Sequence, residues 1–309
     1  MHITSWRNSR VLITGSSGFV GRHLMSFFRA QNAITLGITR HPVHKESENV
    51  VDASNLSSLH RVVKDFRPHA VFHLASEAVV EAGQTHPYET FHNNIVSTLN
   101  VLESCRMLSV PRIIIASTVH VYGDAPLPYR EDEAARPSRP YETSKTASDL
   151  IAQSYADSYN LPVLIPRFAN IYGPGDTNAT RIVPKTIQAI MRGEQPTLWD
   201  GRARRDYLYI DDAIHAYDLL GKITEQQMER NRIYNFATGT SVTAKKLMEM
   251  IIAIMKKDVK IKRIPPPRTR EITRQKVVWT KAKRILGWSP MTDLVAGLSK
   301  TIEWYSRSL

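Results

Sequence analysis

The chain is almost without cysteine: Cys105 is the only one in 309 residues. A lone thiol excludes any intrachain disulfide framework and points to a reducing compartment. Cys105 falls inside the helical pattern Thr98 to Met107, where a buried structural thiol is expected rather than a nucleophile. Long apolar runs are missing as well. The first, Val11 to Ile13, is broken by Gly15, and nothing later approaches the roughly 20 residues of a membrane span. No secretory apolar region stands before it, so the expectation is a cytoplasmic protein with no membrane partner. Acidic residues are scarce beside basic ones, 29 against 41, which leaves a formal charge of +12. Such an excess favours anionic partners, small phosphorylated ligands among them. The basic residues are scattered apart from clusters at Arg202 to Arg205 and Lys256 to Arg274, with no long basic block carrying interleaved aromatics. Nucleic acid is therefore not the expected partner.

What is present is an alternation of short apolar runs with amphipathic stretches. Strands are expected at Val11 to Thr14, Ala33 to Thr39, Ala70 to Leu74, Arg112 to Ala116 and Pro162 to Pro166. Helices are expected at Gly21 to Arg29, Ser57 to Phe66, Tyr88 to Leu108 and Tyr141 to Ser158. Leu59, Val62, Val63 and Phe66 recur at three- and four-residue spacing and make one apolar face. Strands alternating with helices predict an α/β fold, a doubly wound parallel Rossmann-type sheet. After about Ile171 the elements shorten between Gly and Pro residues, which predicts a smaller α/β C-terminal substrate domain. The expected division is 1–170 for the dinucleotide-binding domain and 171–309 for the substrate domain. The two are interleaved if the chain returns to the first sheet near 233–237.

The first expected strand runs into Gly15-Ser-Ser-Gly18-Phe-Val-Gly21, after which a helix begins. Glycines there allow a tight turn, close approach of backbone to a pyrophosphate, and close packing of helix on strand. At the end of the second strand, where an acid would bind the ribose of NAD, the sequence has Thr39-Arg40-His41 and no Asp or Glu. Arg40 is suited to a 2′-phosphate, so NADP is expected ahead of NAD.

Tyr141 and Lys145 stand four apart at a helix start, hence on one face. A free phenol titrates near 10, and a neighbouring ammonium lowers it toward proton exchange at neutral pH. Ser117 and Thr118 follow the strand Arg112 to Ala116, at the carboxyl end where ligands of parallel sheets bind.

The spacing Thr14-Gly15-x-x-Gly18-Phe19-x-Gly21, the segment Ser117-Thr118-Val-His-Val-Tyr122-Gly123 and the pair Tyr141/Lys145 together resemble the extended short-chain dehydrogenase/reductase family, which contains nucleotide-sugar epimerases, dehydratases and reductases. Arg167-Phe-Ala-Asn170-Ile-Tyr172-Gly-Pro and Arg205-Asp206-Tyr207 resemble that family's later motifs, so the likeness covers nearly the whole chain. It implies a cofactor site at Gly15, Ser17, Gly18, Phe19, Val20 and Gly21, with Arg40, Asp52 and Ala53 at the adenosine end. It adds Leu74, Ala75 and Ser76 under the pyrophosphate, and Asn94 and Phe168 along with Tyr141 and Lys145. Catalysis is assigned to Tyr141, Lys145 and Thr118, with Ser117 in support. His120, Asn170, Arg205 and Arg268 are assigned to a nucleotide-sugar substrate, His120 being either an acid/base or a ring contact. No metal is expected. The family's 4,6-dehydratases carry an Asp-Glu pair where this chain has Val119 and His120, so dehydration is not expected. The leading expectation is an NADP-dependent reductase of a nucleotide-activated 4-keto sugar. A 4-epimerase with tightly bound NAD is the alternative, and a non-catalytic dinucleotide- or RNA-binding member stands behind both. The resemblance also implies a homodimer through the helices at 88–108 and 141–158.

Overall fold

The computed structural model describes residues 3–40, 48–199, 201–265 and 272–308. The chain begins β1 (Arg10–Thr14), α1 (Phe19–Ala30), β2 (Ile34–Thr39), β3 (Glu48–Val50), α2 (Leu56–Phe66) and β4 (Ala70–His73). It continues α3 (Val80–Thr85), α4 (Pro87–Met107), β5 (Ile113–Ile115), β6 (Ser117–Thr118), α5 (Pro140–Tyr159), β7 (Val163–Phe168) and β8 (Asn170–Tyr172). Then follow α6 (Ile182–Met191), β9 (Thr197–Leu198), β10 (Arg204–Tyr209), α7 (Ile210–Lys222), α8 (Glu225–Arg230) and β11 (Ile233–Phe236). The last elements are β12 (Ser241–Thr243), α9 (Ala244–Ile254), β13 (Lys262–Arg263), α10 (Thr280–Leu286) and α11 (Leu294–Ser308).

The main sheet is parallel, in the order β11-β7-β5-β4-β1-β2-β3, with β6 added beside β7. Its central strands read as continuous apolar runs because both faces are covered. Val11, Ile13, Phe72, Ile114 and Leu164 point into one core with α1 and α7. Leu12, Val71, Ile113, Ile115, Val163 and Ile165 point into the other with α2, α4 and α5. The pleat's two-residue period sorts neighbouring side chains into different layers. Local chemistry fixes several boundaries. Asn55 caps α2 by accepting from the Ser58 amide at 3.0 Å, and the helix ends on Arg67 in the left-handed region, φ 49°.

The remaining elements build a smaller layer: β12, β10 and β8 form one short sheet, β13 and β9 another, with α6, α9 and α11 packed around them. The winding of the main sheet reverses at β1, which lies between β4 and β2. Ligands of open α/β sheets bind outside the strand carboxyl ends at such a switch point. No helix among the described residues is long and apolar enough to cross a membrane.

Candidate active site

A continuous cleft of about 860 Å³ opens at that switch point and is lined from β1, β2, β4, β5 and β7 on one side and from α6 and β10 on the other. Its dinucleotide end is built on the turn from β1 to α1. Gly15 has φ +71°, and a Cβ on Gly21 would stand 2.1 Å from the Gly15 carbonyl oxygen, so the turn tolerates only glycine there. α1 starts at Phe19 with no side chain capping its first amides. Uncapped amides and the helix dipole suit a pyrophosphate, and Gly15, Ser17, Gly18, Phe19, Val20 and Gly21 all line the cleft beside them. Leu74, Ala75 and Ser76 line its floor, and Arg40, Asp52 and Ala53 line its outer end. Desolvation opposes ionisation of Asp52, but hydrogen bonds from Ser54 and the charge on Arg40 outweigh it and hold the carboxyl below its usual range. Asn94 is not brought to the cleft. Its amide oxygen accepts from the Glu77 amide at 2.6 Å and its nitrogen donates to Glu77 O and Ser144 Oγ, while Asn93 and Ser97 face the cavity instead.

His73, under the same end, is fully buried, and burial with the nearby Lys145 charge pushes it down to about 3. The hydroxyl of Thr98 donates to Asn94 O, so it accepts from His73 Nε2; His73 Nδ1 then accepts from Thr14 Oγ1 at 2.8 Å. A neutral imidazole thus ties β1, β4 and α4 together beneath the cofactor groove.

Tyr141 and Lys145 sit in the first turns of α5, which opens with Pro140 at a position suited to proline. Both line the cleft with Thr118, whose hydroxyl donates to the Phe168 carbonyl at 3.4 Å, accepts from the His120 amide at 3.2 Å, and lies near enough to the Tyr141 phenol to favour its ionised form. Burial raises Tyr141 to about 12 against the opposing pull of the Arg181 charge and the Thr118 hydrogen bond. Burial lowers Lys145 to about 8, with Asp149 opposing, and its ammonium donates to the Ala116 carbonyl at 2.6 Å. Ser117 plays a different part, since its hydroxyl donates to Asp149 Oδ2 at 2.6 Å. Asp149 is itself held in a two-point, buried ion pair by Arg167, both bonds 2.9 Å. Ser117 therefore braces the pair that locks α5 onto β7.

At the substrate end, Asn170 Nδ2 donates to the Asp206 carbonyl at 3.2 Å, and His120 Nε2 lies 3.3 Å from Asn170 Oδ1. Phe168, His120, Asn170 and Arg205 all reach the cleft. Arg268 lies outside the described residues. Several lining residues were not picked out from the sequence. Arg181 pairs with Asp176 at 3.0 Å, and Lys185 places its ammonium 5.2 Å from the centre of the Trp199 ring. Arg181 and Lys185 are four apart at the start of α6, a spacing visible in the sequence, but no motif says that this helix faces the cleft. Glu142 and Asp149 were equally silent, since acids in a helical pattern read as solvated.

Fold and cleft define a Rossmann-type enzyme with a dinucleotide groove running into a second ligand site. The model of the NAD dependent epimerase/dehydratase family matches residues 11–237, and the chain belongs to that family. It is 26% identical to a UDP-glucuronate 4-epimerase of Thermodesulfobacterium geofontis over 96% of each chain. It is 28% identical to a dTDP-glucose 4,6-dehydratase of Neisseria gonorrhoeae, covering 96% of this chain and 95% of that one. Among solved structures, the UDP-glucose 4-epimerase of Thermotoga maritima with UDP-glucose superposes with a TM-score of 0.90 at 26% identity, over 97% of this chain and 99% of the other.

Proposed function

We propose that the protein is a 4-epimerase of a nucleotide-linked hexose that keeps NAD bound through the reaction. The observation that carries this is the meeting of Thr118, Tyr141 and Lys145 in a cleft that also holds the glycine turn and reaches Asn170 and Arg205. Similarity to 4-epimerases along the full chain supports it better than the NADP-dependent reductase put first from the sequence, which none of the relatives named above represents. The residues fit a dinucleotide: uncapped α1 amides for the pyrophosphate, Asp52 and Ala53 for the adenosine, Phe168 beside Tyr141 and Lys145 at the other end. The charge of Arg40 is partly answered by Asp52, which weakens its claim on a 2′-phosphate.

Bound NAD supplies hydride exchange at the sugar carbon. The chain supplies the proton handling. Tyr141 takes the proton of the C4 hydroxyl and returns it to the opposite epimer, with the Thr118 hydroxyl sharing the same oxygen. Lys145, held on the Ala116 carbonyl, lines the same cleft, and its positive charge together with that of oxidised NAD would favour the deprotonated phenol that accepts this proton. Val119, buried and apolar, offers no acid for eliminating water.

Purified protein, given UDP-glucose or UDP-glucuronate and no added cofactor, should interconvert the 4-epimers, and denaturation should release NAD. Stoichiometric consumption of NADPH with accumulation of a reduced sugar would overturn this in favour of the reductase.

A further inference from the structure

Arg181 has no part in the chemistry above, yet it shares the cleft with the reacting phenol. It is the residue from which α6 starts, and Ile182 and Lys185 line the cleft beside it. Its side chain is 35% exposed. The first turn of α6 carries no acid and no capping side chain, so the positive end of the helix adds to the charge there. Lys185 is engaged elsewhere, with its ammonium against the Trp199 ring. Lys145, on the other wall, donates to the Ala116 carbonyl and has Asp149 as its charged neighbour. Burial raises the Tyr141 phenol, and the strongest pull against it is the charge of Arg181.

The support of Arg181 runs bond by bond to the cofactor helix. Its Nη1 donates to Asp176 Oδ1 at 3.0 Å, and Asp176 is buried. The Asn178 amide donates to the same oxygen at 3.3 Å, and the Tyr305 hydroxyl of α11 donates to the Asp176 carbonyl. The two residues before Asp176 are fixed from α1. Arg22 Nη2 donates to the Gly175 carbonyl at 2.7 Å, and His23 Nε2 donates to the Pro174 carbonyl at 2.8 Å. The Phe19 ring meets His23 edge-on, with centroids 5.4 Å apart. The helix whose first amides suit the pyrophosphate therefore also holds the loop that anchors Arg181. The titratable groups around Tyr141 are Arg181 from α6, Glu142 and Lys145 from α5, Glu77 from the segment after β4, and His120 from the turn after β6. Glu142 is paired with Arg139, and Glu77 accepts from the Val79 amide at 3.1 Å. Both carboxylates oppose a phenolate, so a cation arriving from α6 counts against them.

We propose that Arg181 is a positioning residue for the proton transfer: fixed by Asp176, and through Arg22 and His23 by the cofactor helix, it brings a further positive charge to the Tyr141 oxygen from the substrate wall of the cleft. For turnover this rests on the 4-epimerase reading; for the titration of the phenol it does not.

The test uses the full chain with its bound cofactor. Phenolate absorbance, taken as the difference between each protein and its Tyr141→Phe counterpart, follows Tyr141 alone as pH is raised, so His120 does not confuse it. In parallel, kcat for 4-epimerisation of UDP-glucose or UDP-glucuronate is measured over the same range. Arg181→Gln should move both titrations upward by about one pH unit and lower kcat about 10-fold on the acid side, the low end for an opposite charge near a titrating group. Arg181→Lys should restore most of both. A merely structural role would depress kcat equally at every pH and would not be rescued by lysine. The double variant Arg22→Met/His23→Leu should move the phenol titration the same way while NAD is still released on denaturation. Should that variant fail to fold or to keep NAD, the two Arg181 variants decide the matter. A phenol titration that Arg181→Gln leaves in place, a shift that Arg181→Lys does not reverse, or no shift in an NAD-bound double variant overturns the proposal. If no sugar turns over while the phenol titration moves as described, the 4-epimerase reading fails and this one stands.

Discussion

Burial lifts Tyr141 to about 12 in the cleft without cofactor, so the deprotonated form that takes the substrate proton depends on positive charge brought beside its oxygen, and the work falls on that one atom. Tyr141→Phe should keep the fold while lowering kcat by about 10²- to 10⁴-fold, the usual weight of a positioned acid/base; a steady-state assay beside a thermal melt checks both halves. His73 gives a pH signature. Its folded value of about 3 lies below the ordinary histidine value, so between about 6.5 and 3 the unfolded chain binds a proton that the folded chain refuses. Stability should be unaffected by this residue above that window and fall as pH drops through it, and His73→Asn should flatten the slope in denaturant titrations run from pH 7 to 4. Asp149 is the brace of the catalytic helix. Asp149→Ala strands Arg167 without its carboxylate and should cost about 3–5 kcal/mol of folding stability, measured by urea unfolding. The residue scale is also where the sequence misleads most. Ser117 and Thr118 are adjacent hydroxyls with equal claims, and only the pleat, which turns one toward Asp149 and the other toward Tyr141, separates them.

The elements themselves were legible where both faces of a strand are buried. Ile113–Ile115 reads as strand because a helix of that length could not bury three isoleucines in succession, and the two cores take them in turn. β3 and α3 left no comparable mark: β3 has three residues at the sheet's edge, with Val50 64% exposed, and α3 has six. The glycine turn carries its own prediction. Any Cβ at position 21 meets the Gly15 carbonyl, so Gly21→Val should yield protein that purifies without dinucleotide, as shown by mass analysis of what denaturation releases. α5 shows why Glu142 and Asp149 escaped notice. A helix packed against α3, α4 and β7 has little solvent face near its start; Glu142 is buried against Arg139, three residues earlier, and Asp149 against Arg167 from β7. Pair partners 18 residues apart leave no periodic trace.

For the whole molecule, the family match ends at residue 237, just beyond β11, although the C-terminal segment from β12 onward helps to build the cleft through Ala244 and packs α11 against β10. A division into a first domain of 1–170 and a second of 171–309 is a useful description of the layers but not of independent folding units, because β11 lies against β7 in the main sheet. A fragment ending at residue 170 should be insoluble or show no cooperative melt, whereas the full chain should unfold in one transition, observable by circular dichroism. The same return of the chain matters during synthesis. β7 leaves the ribosome with one edge bare, and the strand that covers it is made roughly 65 residues later, a delay of several seconds at ordinary elongation rates of about 5–20 residues per second. Throughout that interval the nascent chain carries an open template for strand addition, so the yield of native enzyme should fall when translation through this stretch is slowed and recover when a holdase chaperone is supplied.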